Sequence, residues 1–117
     1  YRNHVDYAGF IVTHGEYTVQ NTAKKMLETY DRSGTSGHTH RPQSWTYVDA
    51  ALGDPKTWYV TGMMCRRDIT DVVPSWRKFM PWQQCFGVSV ARKGVVHFEL
   101  VRVHHHGFLC MGKTYEV

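Results

Sequence analysis

The sequence predicts a single α/β domain over residues 1–117, with one early helix and mostly β-structure after residue 42. Three observations predict this class. A short apolar run near the start is typical of a buried strand, and the segment after it repeats apolar residues with the period of a helix. The second half alternates apolar and polar residues, as half-buried strands do. At 117 residues the chain is long enough to bury one core.

The first predicted unit is a strand, a helix and a second strand. AGFIVTHG, residues 8–15, predicts a buried strand that ends at His14. TVQNTAKKMLETYDRSG, residues 18–34, predicts a helix with Thr18 as N-cap and Gly34 as its stop. The apolar residues on one face of this helix are Val19, Ala23, Met26, Leu27 and Tyr30. TSGHTH then follows as the next strand end, so both histidine groups fall where open α/β sheets bind ligands.

The remaining elements are predicted to be strands and one irregular segment. SWTYVDA and TWYVTGMM are strand-like and flank a Gly-Asp-Pro turn. Residues 66–84 have no clean period, and their prolines indicate an ordered loop with one short helix. Residues 86–117 predict two or three antiparallel strands, with a hairpin turn at 92–94. The three adjacent histidines at 104–106 alternate faces on a strand, which favours a polar hairpin turn over a metal site.

The fractions of hydrophobic and charged residues are close to the average for globular proteins. No apolar run approaches the roughly 18 residues that span a bilayer, so no membrane partner is expected. The net charge is +4, a mild excess that attracts phosphate-bearing partners without defining a nucleic-acid binder. The cysteines number three, with none at CxxC spacing, which favours reduced thiols and a cytoplasmic location.

Three histidines carry the chemical interest: His14, His38 and His40. Neutral imidazole is the commonest side-chain ligand of transition metals. If GHTH is extended, His38 and His40 leave the strand on the same side and can reach one metal or two close metals. Thr39 then points away, and its hydroxyl is expected to hold the turn. A single HxH is a weak signal, but HG at one strand end and GHTH at the next is a stronger one.

These motifs carry a resemblance to a known family. VTHG, a helix and then GHTHRP resemble the last two motifs of the calcineurin-like metallophosphoesterases. GMMCRRD followed by PWQQCFGVSV is similar to a stretch of the phage and bacterial members, and the closing hairpins also match. One departure is Cys85, where the family has glycine. The resemblance covers nearly the whole chain, and it implies the C-terminal part of a metallophosphoesterase-type α/β/β/α sandwich.

The resemblance also implies a site and an activity. It implies a hydrolase with a dinuclear centre of Mn, Fe, Zn, Ni or Mg, in which His14 and His38 bind one ion and His40 binds the other. Arg41, which directly follows the last histidine, is a candidate contact for the substrate phosphate. The implied reaction is hydrolysis of a phosphate monoester or diester, with nucleic acid among the substrates considered.

The family's earlier motifs are missing from this sequence. They are an Asp-x-His, a Gly-Asp-x-x-Asp and a Gly-Asn-His, and they supply the bridging carboxylate, an asparagine ligand and a further histidine. None of the chain's six aspartates stands in such a context. The chain is therefore expected to be nearly inactive alone and to need an N-terminal half as its partner. It is either one piece of a divided enzyme, a partial sequence, or a remnant kept for binding.

Two rival functions remain open on the sequence alone. The first is a non-catalytic module that binds nucleic acid or protein through its positive charge and surface aromatics, with an affinity that falls with salt and ignores chelators. The second is a single structural zinc. A closed tetrahedral zinc site needs a fourth protein ligand, and the sequence places none near the three histidines.

Overall fold

The computed structural model describes residues 4–48, 50–51, 53–64 and 82–116. Within these ranges the chain forms one helix and nine strands, and the fold class is mixed α/β. The elements are β1 (His4–Tyr7), β2 (Phe10–Thr13), α1 (Thr22–Tyr30), β3 (Gly34–Ser36), β4 (Gln43–Val48), β5 (Pro55–Val60), β6 (Cys85–Arg92), β7 (Val95–Arg102), β8 (Gly107–Cys110) and β9 (Lys113–Glu116). The predicted loop with a short helix at 66–84 lies almost entirely outside the described residues.

The central element is a five-stranded sheet with the order β1-β2-β3-β5-β4. Strands β2, β3 and β5 are parallel, and β1 and β4 close the two sides in antiparallel pairing. The predicted strand-helix-strand unit is therefore present as β2-α1-β3. Ile11 pairs with Gly34, and Gly34 pairs with Trp58 on the next strand. This register brings the carboxyl ends of β2 and β3 to one edge of the sheet.

Helix α1 covers one face of this sheet. Its apolar residues recur at helical spacing and meet the strands in a fully buried cluster of Ile11, Ala23, Met26, Leu27, Trp58 and Val60. Burying a side chain of this size is worth about 1.5–3 kcal/mol, so the helix is held mainly by this contact. The indole of Trp58 also has a polar partner, because its Nε1 donates to Ser36 Oγ at 3.0 Å.

The two predicted ends of the helix were wrong. Thr18 does not cap it: the helix begins at Thr22, and the N–H of Ala23 donates to the side-chain Oε1 of Gln43 on β4 at 2.9 Å. Gly34 does not stop it either, since Asp31 adopts a left-handed φ of 50° and its N–H donates to the Leu27 carbonyl. A tertiary contact from Gln43 therefore satisfies the first turn, and a local left-handed cap at Asp31 ends the helix.

The hairpin of β6 and β7 packs against the other face of the sheet. Strands β6 and β7 form a hairpin whose predicted turn is confirmed, with positive φ at Lys93 and Gly94. Phe98 of β7 contacts two rings of the sheet, with centroids 5.5 Å from Phe10 and 4.7 Å from Tyr59. Strands β8 and β9 form a further hairpin, so this region has four strands where two or three were predicted.

The turn at 104–106 and the length of the helix can also be compared with the sequence-based expectations. The histidines at 104–106 lie in a tight turn, in which His104 and Gly107 exchange backbone hydrogen bonds, as the sequence predicted. Across the residues that the structure describes, no helix has both the length and the apolar character needed to span a bilayer.

Gly34 offers a direct test of the packing. A methyl group at this position would overlap the Trp58 ring and lie 2.6 Å from the Ile11 carbonyl oxygen. We expect Gly34→Ala to lower the free energy of unfolding by at least about 2 kcal/mol, because overpacking a filled core costs this much. Urea unfolding followed by circular dichroism would measure it.

The matched control is Gly37→Ala, three residues along the same segment. The added methyl there meets Thr61 Oγ1 at 3.5 Å, an ordinary contact. Its cost should stay below about 1 kcal/mol. Equal costs for the two variants would contradict the close packing of β3 against Trp58.

Candidate metal centre

The histidines of the first two motifs meet at the carboxyl edge of the sheet. His14 follows β2 and His38 follows β3, and the parallel register places them side by side. His14 Nε2 lies 3.1 Å from His38 Nδ1, and the two ring centroids are 5.0 Å apart. Both side chains are exposed to solvent. Two residues 24 positions apart thus present ring nitrogens to the same point in space.

The backbone around the pair fixes this approach. The N–H of Gly37 donates to the His14 carbonyl at 3.0 Å, which joins the two strand ends directly. Gly15 has a φ of +101°, and a methyl group there would meet Ser36 Cβ at 3.2 Å and His38 Cβ at 3.5 Å. Glycine at position 15 therefore serves both the turn and the close contact with the second strand end.

The GHTH segment is not extended, which corrects the sequence-based expectation. Strand β3 ends at Ser36, and both His38 and His40 have left-handed backbone angles, with φ of 70° and 60°. Histidine tolerates this region better than most residues, but it is still an uncommon conformation. The side chains of His38 and His40 consequently lie in different environments. Thr39 is buried and its hydroxyl has no partner among the described residues, so it does not hold the turn as expected.

His40 packs against a tryptophan from the second half of the chain. Its ring lies edge-on to Trp82, with centroids 4.9 Å apart. The carbonyl of His40 accepts a hydrogen bond from the N–H of Gln83 at 3.0 Å, so the backbone fixes the same contact. Its Nδ1 is buried and has no hydrogen-bond partner among the described residues. A buried ring nitrogen without a partner is costly, and it is a position where a further ligand would be favourable.

The segment that carries Trp82 is anchored on the end of β5. The N–H of Gly62 donates to the Cys85 carbonyl at 3.1 Å, the N–H of Met63 to the Gln83 carbonyl at 2.9 Å, and the N–H of Cys85 to the Met63 carbonyl at 3.2 Å. Burial raises the pKa of the Cys85 thiol, which keeps this side chain neutral in the core.

Arg41 lies beside the histidines and is already bound to the protein. Its Nη2 donates to the carbonyls of Thr18 at 3.1 Å and Val19 at 3.0 Å. These bonds tie the loop between β2 and α1 to the GHTH segment. Sequence reasoning identified Arg41 only as a candidate phosphate contact and missed this structural role.

The donor set fits one cation in part. Two nitrogens bound to one Zn²⁺ at about 2.0–2.1 Å lie about 3 Å apart when the bond angle is near 95°. The His14–His38 distance matches this value, and it equally matches a hydrogen bond between two neutral imidazoles. His40 does not join the pair, and in the described ranges no three His, Cys, Asp or Glu side chains are grouped as a metal site would need.

Two of the described aspartates have partners away from the histidines. Asp6 on β1 accepts from Arg32 at 2.7 Å, and this guanidinium lowers the pKa of the Asp6 carboxyl. Asp31 at the end of α1 pairs with Lys56 at 3.0 Å. Asp49, Asp68 and Asp71 lie outside the described residues. Among the described residues, no carboxylate is grouped with His14 and His38 as a metal site would need.

Comparison of the chain with protein-family models, with curated proteins and with solved structures gave no match.

Proposed function

We propose that this chain supplies three imidazole ligands to a dinuclear metal centre that hydrolyses phosphate esters, as in the metallophosphoesterases it resembles. The observation that carries the proposal is the 3.1 Å approach of His14 Nε2 to His38 Nδ1 at the carboxyl edge of a parallel sheet. Strand ends of this kind are the usual ligand sites of α/β folds. The left-handed conformations of His38 and His40 add support, because strained backbone concentrates at functional sites.

Each histidine has a defined part in the proposed site. His14 and His38 would hold one cation through Nε2 and Nδ1, and His40 would contribute to the second through its buried, unpartnered Nδ1 or its other ring nitrogen. When bound, paired divalent cations polarise a phosphoryl group and lower the pKa of a water molecule. The surrounding chain orients the imidazoles: Gly37 N–H holds the His14 carbonyl, and Trp82 holds the ring of His40.

The proposal requires carboxylates from a second segment. Two dications repel each other strongly at short range, and neutral imidazoles do not offset their charge. Asp6 and Asp31 are paired with Arg32 and Lys56, so they are not available for this role. We therefore infer that an N-terminal half, as a separate chain or a preceding segment, completes the site and supplies the bridging carboxylate.

Arg41 fits the substrate side of this site. Its guanidinium has five N–H donors, and the Thr18 and Val19 carbonyls are both bonded from one nitrogen. The remaining donors suit a phosphate oxygen next to the histidines. The proposed enzyme acts in the cytoplasm, in agreement with the free thiols of Cys85 and Cys110.

Metal binding by the chain alone is the first test. We expect weak uptake of one Zn²⁺ or Mn²⁺ per chain, because two of the proposed ligands are already adjacent. His14→Ala and His38→Ala should each weaken binding at least tenfold, measured by isothermal titration calorimetry. His97→Ala is the matched control, since His97 is an exposed strand histidine far from the pair in sequence. Variants at 14 and 38 that bind like the wild type would refute the shared site.

Activity after reconstitution is the second test. The chain would be mixed with an N-terminal half that carries the missing acidic motifs, and turnover of bis-p-nitrophenyl phosphate would be followed with Mn, Zn, Ni, Fe or Mg. We expect turnover that EDTA abolishes, with kcat lowered at least about 100-fold by His38→Ala. His105→Ala, in the distant hairpin turn, should leave kcat unchanged. Absence of turnover with every metal, or full activity of His38→Ala, would contradict the proposal.

A further inference from the structure

Strand β4 carries two large, partly exposed aromatic side chains on the helix side of the sheet. Gln43, Trp45 and Tyr47 alternate onto the same side of the strand as α1, since Trp45 pairs with Trp58, which α1 buries. Trp58 is fully buried, whereas Trp45 is 39% exposed and Tyr47 is 38% exposed. β4 is the outermost strand of the sheet, so Trp45 and Tyr47 have a neighbouring strand on one side only, although α1 also contacts β4.

One lysine contacts the Trp45 ring, and a second stands opposite Tyr47 in the strand register. Lys24 of α1 places its Nζ 5.2 Å from the centroid of the Trp45 ring, a cation–π contact. Lys56 stands opposite Tyr47 in the β4–β5 register, on the same face of the sheet. Its Nζ contacts Asp31, so Lys24 is the stronger positive centre of the surface. We refer to Lys24, Trp45, Tyr47 and Lys56 together as the aromatic strip.

The geometry points to a partner with flat rings and negative charge. Residues two apart on a strand are about 6.6 Å apart, close to twice the base spacing of a stacked duplex strand. Two such rings suit an extended single strand whose bases are unstacked, because bases inside a duplex do not present their faces. Aromatic rings beside a positive backbone track are the general means of binding single strands without sequence preference.

We propose that the aromatic strip binds single-stranded nucleic acid, with bases stacked on Trp45 and Tyr47 and a phosphate close to Lys24. This surface lies on the helix side of β4 and uses none of the three site histidines. The proposal is therefore independent of the phosphoesterase activity, and either one stands if the other fails. The net charge of +4 favours approach of the same partner.

Fluorescence anisotropy with a labelled 12-nucleotide oligo-dT, in EDTA and low salt, tests the proposal. We expect micromolar binding that weakens as salt rises. Trp45→Ala and Tyr47→Ala should each weaken it at least about fivefold, which is the low end of one stacking contact. Lys24→Gln should reduce the slope of log affinity against log salt by about 0.7, the value for one phosphate contact on a single strand. Oligo-rU in place of oligo-dT distinguishes RNA from DNA as the preferred strand.

Tyr115→Ala is the matched control. Tyr115 is 42% exposed and Lys113 lies 5.4 Å from its ring centroid, so it reproduces the chemistry of the strip on another hairpin. Its replacement should leave affinity unchanged. Circular dichroism would check folding, and Trp45→Phe, which keeps a ring, should bind between wild type and Trp45→Ala. Three results would each overturn the proposal. They are no measurable binding by the wild type, a loss of affinity for Tyr115→Ala equal to that of Trp45→Ala, and a duplex that binds as tightly as the single strand.

Discussion

The parallel pairing of β2 with β3 is the constraint on which the rest of the structure depends. Ile11 lies opposite Gly34, so His14 and His38 follow within a few residues at the same sheet edge. This pairing is possible only because α1 crosses over the sheet and buries its apolar face on Ile11 and Trp58. Gly34 permits it by leaving room for the Trp58 ring. The core and the candidate site are therefore consequences of one register.

In the described structure, two histidines lie together at the sheet edge without carboxylates grouped beside them. Imidazole nitrogens of His14 and His38 meet at the sheet edge, while the carboxylates of Asp6 and Asp31 pair with Arg32 and Lys56. Under the proposed function, the site would gain most from a second segment that brings carboxylates. The aromatic strip on β4 lies on the helix side of the same sheet, so binding of a single strand and hydrolysis would be separable.

Much of the fold, but only part of the site, could be predicted from the sequence. The strand-helix-strand unit followed from Phe10, Ile11 and the helical spacing of Met26 and Leu27, because burial periodicity is a local signal. The start of the helix could not be predicted, because the side chain of Gln43 on a distant strand accepts the hydrogen bond of Ala23 N–H in the first turn. The left-handed angles at His38 and His40 have no sequence signature outside glycine, so GHTH was expected to be extended. The contact between His40 and Trp82 joins residues 42 positions apart, and no local sequence pattern predicts it.

The nearness of the two imidazoles is the central claim, and nuclear magnetic resonance measures it directly. Long-range ¹H–¹⁵N spectra of the histidine rings would be recorded while Zn²⁺ is added to the whole chain. We expect His14 Nε2 and His38 Nδ1 to shift together, over the same range of metal concentration, while His97 stays unchanged. Independent shifts of the two nitrogens, or no shift in either while other histidines respond, would contradict the shared site.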